Sequence, residues 1–126
     1  MYWLKHESDR FIEADDFHVA PFRADGKTYG TPTFIWSVVV HGRLFVRAYN
    51  GTSSSWYRAA VTVGSGRIVL TGRSFKVNFR VADPSFANEI DEAYKFKYAS
   101  SRYLKPMISD RARAATLEVT PFDPMG

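Results

Sequence analysis

The pattern of apolar and polar positions changes character several times along the chain, and each change marks an element. From Phe17 to Phe22 the residues alternate, with Phe17, Val19 and Pro21 on one side, ahead of an Asp25-Gly26 turn signal. That is the signature of a strand, and Pro21 within it points to an edge position or a bulge, because proline has no N–H for a ladder. Thr33 to Val40 (TFIWSVVV) is β-branched and aromatic without strict alternation, which suits a strand buried on both faces. His41-Gly42 then links it to Arg43 to Tyr49, where alternation resumes: Leu44, Val46 and Ala48 face one way, Arg43, Phe45, Arg47 and Tyr49 the other. After the loop Gly51 to Ser55 a further strand is expected over Trp56 to Val63. Gly64-Ser65-Gly66 reads as a tight turn, Arg67 to Leu70 as the next strand, and Thr71-Gly72 as its end. Ser74 to Val81 has a plain period of two, with Phe75, Val77, Phe79 and Val81 inward and Lys76, Asn78 and Arg80 outward.

The period lengthens only twice. A short helix is expected over His6 to Asp15, with Ser8 or Asp9 as cap and Asp15 and Asp16 at an end where they oppose the macrodipole. A longer one begins at Asp83-Pro84, cap and first helical position, and continues to about Ala99. Phe86, Ile90, Tyr94 and Tyr98 recur every four residues on one face, so it should pack on the sheet or on a partner subunit. Ser100 to Pro106 reads as a loop, Ser109 or Asp110 caps a short turn through Ala114, and Thr116 to Phe122 alternates as a last strand before a polar, proline-containing tail. Short links make consecutive strands antiparallel neighbours. The expectation is a single domain over residues 1–126, mainly β with minor α: a six- to seven-stranded antiparallel sheet closed into a barrel, with one longer helix late.

Composition narrows the chemistry. Twenty of the 126 residues are aromatic (seven Tyr, ten Phe, three Trp), enough for a ring-filled core together with a ring-lined pocket or subunit interface. Cysteine is absent, which excludes disulfides, thiolate nucleophiles and zinc-thiolate sites. No apolar run approaches the roughly 20 residues of a membrane span, and the start lacks the apolar core of a secretory signal, so a cytoplasmic protein is expected. The net charge of +4 suits an anionic ligand but is spread along the chain, unlike the clustered face of a nucleic-acid binder.

Candidate chemistry gathers around one loop. Asn50-Gly51-Thr52-Ser53-Ser54-Ser55 offers hydroxyls and free amides beside Arg47 and Arg58, a combination that can cradle a phosphate, and Trp56-Tyr57 next to it suits a flat heterocycle. The same loop also reads as a solvated hairpin connection. His6, His18 and His41 are scattered without metal spacing; His18, near Asp15 and Asp16, reads either as an acid-base group or as a surface histidine. Tyr94, Lys97 and Tyr98 could close a pocket or simply pack. No nucleophile elbow, Walker loop or dinucleotide fingerprint is present.

Thr31-Pro32-Thr33 before the strand with Trp36, the hairpin Gly42 to Val46, Arg47 and Gly51 with Trp56-Tyr57, Ile90-Asp91-Glu92-Ala93-Tyr94 with Lys97-Tyr98, and Ala114-Ala115-Thr116 carry a resemblance. Together they resemble a bacterial domain-of-unknown-function family, number 2255, over about Phe17 to Pro121. That family is grouped with the flavin-binding split barrels, relatives of pyridoxamine-phosphate-oxidase-like and deazaflavin-dependent reductases. The resemblance implies a homodimer of six-stranded antiparallel split barrels with FMN or a deazaflavin between subunits, the cofactor supplying the hydride chemistry. It also implies that Arg47, Tyr49, Gly51, Ser54, Ser55 and Arg58 face the phosphate, and that Thr33 and Trp36 approach the ring. One departure stands out: Ser54, Ser55 and Trp56 occupy the region where split-barrel oxidases place a phosphate-binding lysine or arginine, and Trp56 could fill the flavin's own place. Three functions follow as expectations: a flavin-dependent oxidoreductase acting on a small organic molecule, a cofactor-less small-molecule-binding protein, or a cofactor-independent lyase or isomerase using His18, Asp16 or a tyrosine.

Overall fold

In a computed structural model describing residues 2–124, one seven-stranded antiparallel sheet runs through the molecule in the order β2-β1-β5-β6-β7-β4-β3. The strands are β1 (His18–Pro21), β2 (Thr33–Phe34), β3 (Ser37–Val40), β4 (Arg43–Arg47), β5 (Ser65–Leu70), β6 (Arg73–Val81) and β7 (Thr116–Pro121). The helices are α1 (Lys5–Glu13), α2 (Ser55–Val63), α3 (Ala87–Lys97), α4 (Leu104–Met107) and α5 (Asp110–Arg113). The mainly β, antiparallel architecture with one longer late helix is therefore the expected one. The sheet curls into a half-barrel. Its two outermost strands, β2 and β3, are not paired with each other but are joined by Ile35 and Trp36 alone. Three residue steps from Phe34 to Ser37 span at most about 10 Å, so the chain itself draws the two edges of the sheet together.

What read as one strand from Thr33 to Val40 is thus broken in the middle: Ile35 gives its N–H to Phe17 O at 3.1 Å, the last bond in the β1–β2 register, and β3 starts only at Ser37 with a different partner, β4. β3 is nevertheless covered on both sides, as its composition demands: Val39 packs towards Phe11 and the interior, while Val38 and Val40 pack against Ile90 and Tyr94 of α3. Pro21 sits where β2 no longer accompanies β1, since β2 pairs only with His18 and Val19. Opposite it, Gly66 is a residue of β5 rather than part of a tight turn. A Cβ there would lie 2.5 Å from Pro21 Cα and 2.6 Å from Ala20 O, so only glycine lets the two strands approach.

Two-residue turns link β3 to β4 and β5 to β6. His41 and Thr71, followed by Gly42 and Gly72, all have positive φ, as type I′ turns require. Thr71 is a β-branched residue in that region, and Asp16 supports it by accepting its N–H at 2.9 and 3.1 Å. Inside the curl lie Phe11, Val19, Leu44, Val46, Ile68, Val77, Leu117 and Val119, closed off by α1 and α2. Val81, expected inward, is 61% exposed because it lies at the strand's end, beyond the last buried ring at Phe79. On the outer side Phe45, Ile90, Tyr94 and Met107 form a second cluster under α3 and α4.

Three further element expectations change. Trp56 to Val63 is helical, not extended: Ser54 is extended and opens α2, Trp56 and Ala60 bury one face, and Gly64 at φ 80° ends it by returning its N–H to Ala60 O at 2.8 Å. The β-branched run Val61-Thr62-Val63 masks a helix whose clearest marker is the glycine at its C-terminus. The first helix begins at Lys5 behind Leu4, whose N–H is capped by Glu7 at 3.0 Å rather than by Ser8 or Asp9. Pro106, assigned to a loop, is accommodated in the single turn α4, whose first positions need no internal N–H. Residues 125–126 of the polar tail lie outside the described residues.

Candidate functional site

Where the two sheet edges meet, a cleft of about 450 Å³ opens. Thr33 and Phe34 of β2 and the linking Ile35 and Trp36 form one wall, and Tyr49 and Asn50, just past β4, form another. Ser54, Ser55 and Trp56 bring the start of α2 to it, Tyr103 and Met107 close it from the α4 side, and Arg47 reaches it from β4. A volume of this size lies in the range of about 300–1,000 Å³ typical of small-molecule sites. Phe34, Tyr49 and Tyr103 are 53%, 40% and 48% exposed, so part of the apolar surface that the core leaves uncovered is concentrated here.

The back of the cleft is rigid. Trp36 stacks on Tyr98 with ring centroids 3.9 Å apart and planes 2° from parallel, and Tyr94 lies alongside with its hydroxyl 3.5 Å from Trp36 O. Tyr98 in turn both accepts from Ser37 N and donates to Ser37 O, each at 3.2 Å, which pins the residue after Trp36. Burial pushes the Tyr98 hydroxyl up to about 12, so it stays protonated as that donor. Lys97 donates to the same Ser37 carbonyl at 2.8 Å; burial pulls its amine down to about 8. The four-residue spacing of Tyr94 and Tyr98 thus serves both packing on the sheet and the posture of Trp36.

Arg47 forms the polar floor. It is 1% exposed, and it donates to Thr116 Oγ1 at 3.1 Å, Asp91 Oδ1 at 2.5 Å, Met107 O at 3.0 Å and Ala87 O at 3.3 Å. Four of its five N–H groups therefore already have protein acceptors. Asp91, 4% exposed, is shared with Arg113. Burial disfavours its charge most strongly, yet the hydrogen bonds from Arg113 and Arg47 win and hold its pKa below the ordinary value. This buried network ties β4, α3, α4 and β7 together at the base of the cleft.

At the opposite wall, α2 points its N-terminus into the cleft. Ser54 makes no side-chain capping bond, so the first N–H groups of this nine-residue helix remain available beside the hydroxyls of Ser54 and Ser55. Trp56 is mostly buried and forms a wall, edge-on to Tyr57, without filling the cleft.

Of the residues that the sequence singles out, Thr33, Trp36, Arg47, Tyr49, Ser54, Ser55 and Trp56 come together here; Gly51 and Arg58 do not line the cleft. Arg58 is exposed along α2, because the helical turn carries it away from Trp56 where a strand would have kept it near. Gly51 lies behind the wall, buried at φ 76°. Asp16 is occupied with the β5–β6 turn, and neither it nor His18 is among the lining residues. Asn50 belongs to the loop that the sequence singles out, and Phe34, Ile35, Tyr103 and Met107 complete the cleft without having been anticipated. The signal for Phe34 was its position beside Thr33, but the kink that aims it outward has no sequence mark, and Tyr103 stood in an apparent loop.

A family described as uncharacterized protein conserved in bacteria, domain-of-unknown-function family 2255, matches residues 7–119, and the chain belongs to it. No curated protein matches the chain in sequence. No helix among the described residues is long and apolar enough to cross a membrane.

Proposed function

We propose that this family member binds a flat heteroaromatic ligand carrying a phosphate, FMN or a deazaflavin, in the cleft between the sheet edges, and acts as a flavin-dependent oxidoreductase on a small organic molecule. The observation that supports it best is the polarity of the cleft. Rings of Trp36, Phe34 and Trp56 stand at its walls, while the uncapped start of α2 with Ser54 and Ser55 offers an anion-attracting end. The residues fit such a group: ring faces for a heterocycle, free amides and hydroxyls for a phosphate. Thr33 and Trp36 would meet the ring; Ser54, Ser55 and the α2 amides would meet the phosphate. When bound, the flavin supplies hydride transfer, and the protein supplies orientation and exclusion of water. The active form in this reading is a cytoplasmic homodimer in which a second copy covers the exposed rings Phe34, Tyr49 and Tyr103 at the mouth.

The test is a spectroscopic titration of the purified chain with FMN and a deazaflavin. Saturable binding below about 50 µM, with quenched flavin fluorescence, supports the proposal, and no binding of either at that concentration removes it. A second reading, a cofactor-less protein holding a non-flavin ring compound in the same cleft, draws on the state of Arg47. Its guanidinium is committed to Asp91, Met107, Ala87 and Thr116, which leaves no free cation among the described residues of the cleft wall. This reading expects ligand binding without colour.

A further inference from the structure

We propose that Arg111 and Arg102 form the anion clamp of the cleft, holding the phosphate of its ligand from the rim. The inference rests on the reading that the cleft takes a ring compound with an anionic end, and it assigns that end to two residues outside the lining. Tyr49 and Tyr103, both lining residues, meet edge to face with centroids 6.3 Å apart. Each has an arginine against its ring. The Arg111 guanidinium lies 5.6 Å from the Tyr49 ring centre, and that of Arg102 lies 5.0 Å from the Tyr103 ring centre while donating to its hydroxyl at 2.9 Å. Two tyrosines and two guanidiniums thus form one continuous cluster where Tyr49 and Tyr103 meet at the cleft.

Both cations remain available. Among the described residues no carboxylate pairs with either: Asp110, the acidic neighbour of Arg111, is 3.8 Å from Arg113 instead, and Arg43, Arg80, Arg47 and Arg113 are taken by Glu118 or Asp91. Resting a guanidinium on a ring face limits its wandering while leaving N–H donors to fork onto an oxyanion. Gly51 makes the placement of Arg111 possible. A Cβ at that position would lie 2.6 Å from Arg111 Cγ, so the glycine is the gap through which the arginine stem reaches Tyr49. Two guanidiniums in one cluster favour a phosphate monoester over a ligand with a single weak anion or none.

The experiment compares ligands that differ only in phosphate, FMN against riboflavin and 1-naphthyl phosphate against 1-naphthol, on the full chain and on Arg111→Ala, Arg102→Ala and the double variant. Arg58→Ala is the control. The clamp predicts that each single variant weakens the phosphorylated ligand by about tenfold, and the double variant by more, with the unphosphorylated partner unchanged. Gly51→Ala should mimic Arg111→Ala. Equal loss for both members of a pair, or no loss in the double variant, overturns the clamp even if FMN binds. Failure of wild type to bind either flavin overturns the flavin reading, and the naphthyl pair then decides the clamp alone: wild type must prefer the phosphate, and the double variant must lose that preference.

Discussion

Arg47 and Asp91, both almost fully buried, meet at 2.5 Å, one on β4 and the other on α3, so the floor of the cleft and the packing of the long helix depend on the same ion pair. Replacing Arg47 by alanine would leave Asp91 buried with Arg113 as its remaining partner and four acceptors unsatisfied or reduced. A loss of about 3–5 kcal/mol in urea unfolding is expected, against less than about 0.5 kcal/mol for exposed Arg58→Ala. Arg47 variants should therefore lose ligand binding and stability together, whereas Arg111 variants lose binding alone.

Acid should act through two buried carboxylates. Burial opposes the charge of Glu118 as it does that of Asp91, but bonds from Arg43 at 2.8 and 2.9 Å and from Arg80 at 2.9 Å prevail, so both groups titrate below their ordinary values of 3.8 for Asp91 and 4.5 for Glu118. A depressed folded pKa contributes stability that is complete above the unfolded value and is lost as pH falls through the folded one. Tm should hold from pH 7 to about 5 and then drop steeply below about 4. In Glu118→Gln and Asp91→Asn the acid slope should be shallower, from a lower starting point.

Lys97 should act in the opposite range. Burial holds its pKa near 8 against an ordinary 10.5, so below about 8 the fold carries a charge that the unfolded chain solvates better. Between those values the unfolded state binds more protons, and stability should rise with pH. Tm measured across that interval should climb in wild type and stay flatter in Lys97→Met. Tyr98 opposes the trend only above about 10, where the unfolded chain releases its phenolic proton while burial holds the folded one up to about 12, so the climb is read between about pH 8 and 10.

Gly66→Ala should separate β1 from β5. Its new methyl would fall on the Pro21 backbone and the Ala20 carbonyl, neither of which can give way without breaking the pairing of Pro21 with Gly66. A loss of about 1–3 kcal/mol is expected, with faster amide exchange at Phe22, whose N–H bonds Ser65 O at 3.0 Å.

The strands were legible because their determinants are local. The alternation from Leu44 to Tyr49 assigned both faces of β4, and the period of four from Phe86 to Tyr98 assigned the buried side of α3. Of the seven cleft residues named beforehand, Arg47, Ser54, Ser55 and Trp56 stood out as one loop beside an arginine, whereas Thr33, Trp36 and Tyr49 were named because the family resemblance implies them. What stayed hidden is long-range. The break at Ile35 follows from the sheet's two edges being drawn together, and the burial of Arg47 from Asp91, far along the chain. The helix over Ser55–Val63 was hidden by its β-branched end, and with it the reason that Arg58 leaves the cleft. Arg111 carried no signal at all, because its place depends on a gap at Gly51.

The most direct measurement of the central claim is a crystal structure grown with FMN. The account predicts the flavin ring against Trp36 and Phe34, with the phosphate at the Tyr49–Tyr103 end, close to Ser54 and Arg111. A flavin bound elsewhere, one seated with its phosphate towards Trp36, or a cleft that stays free of flavin at saturating FMN would contradict it.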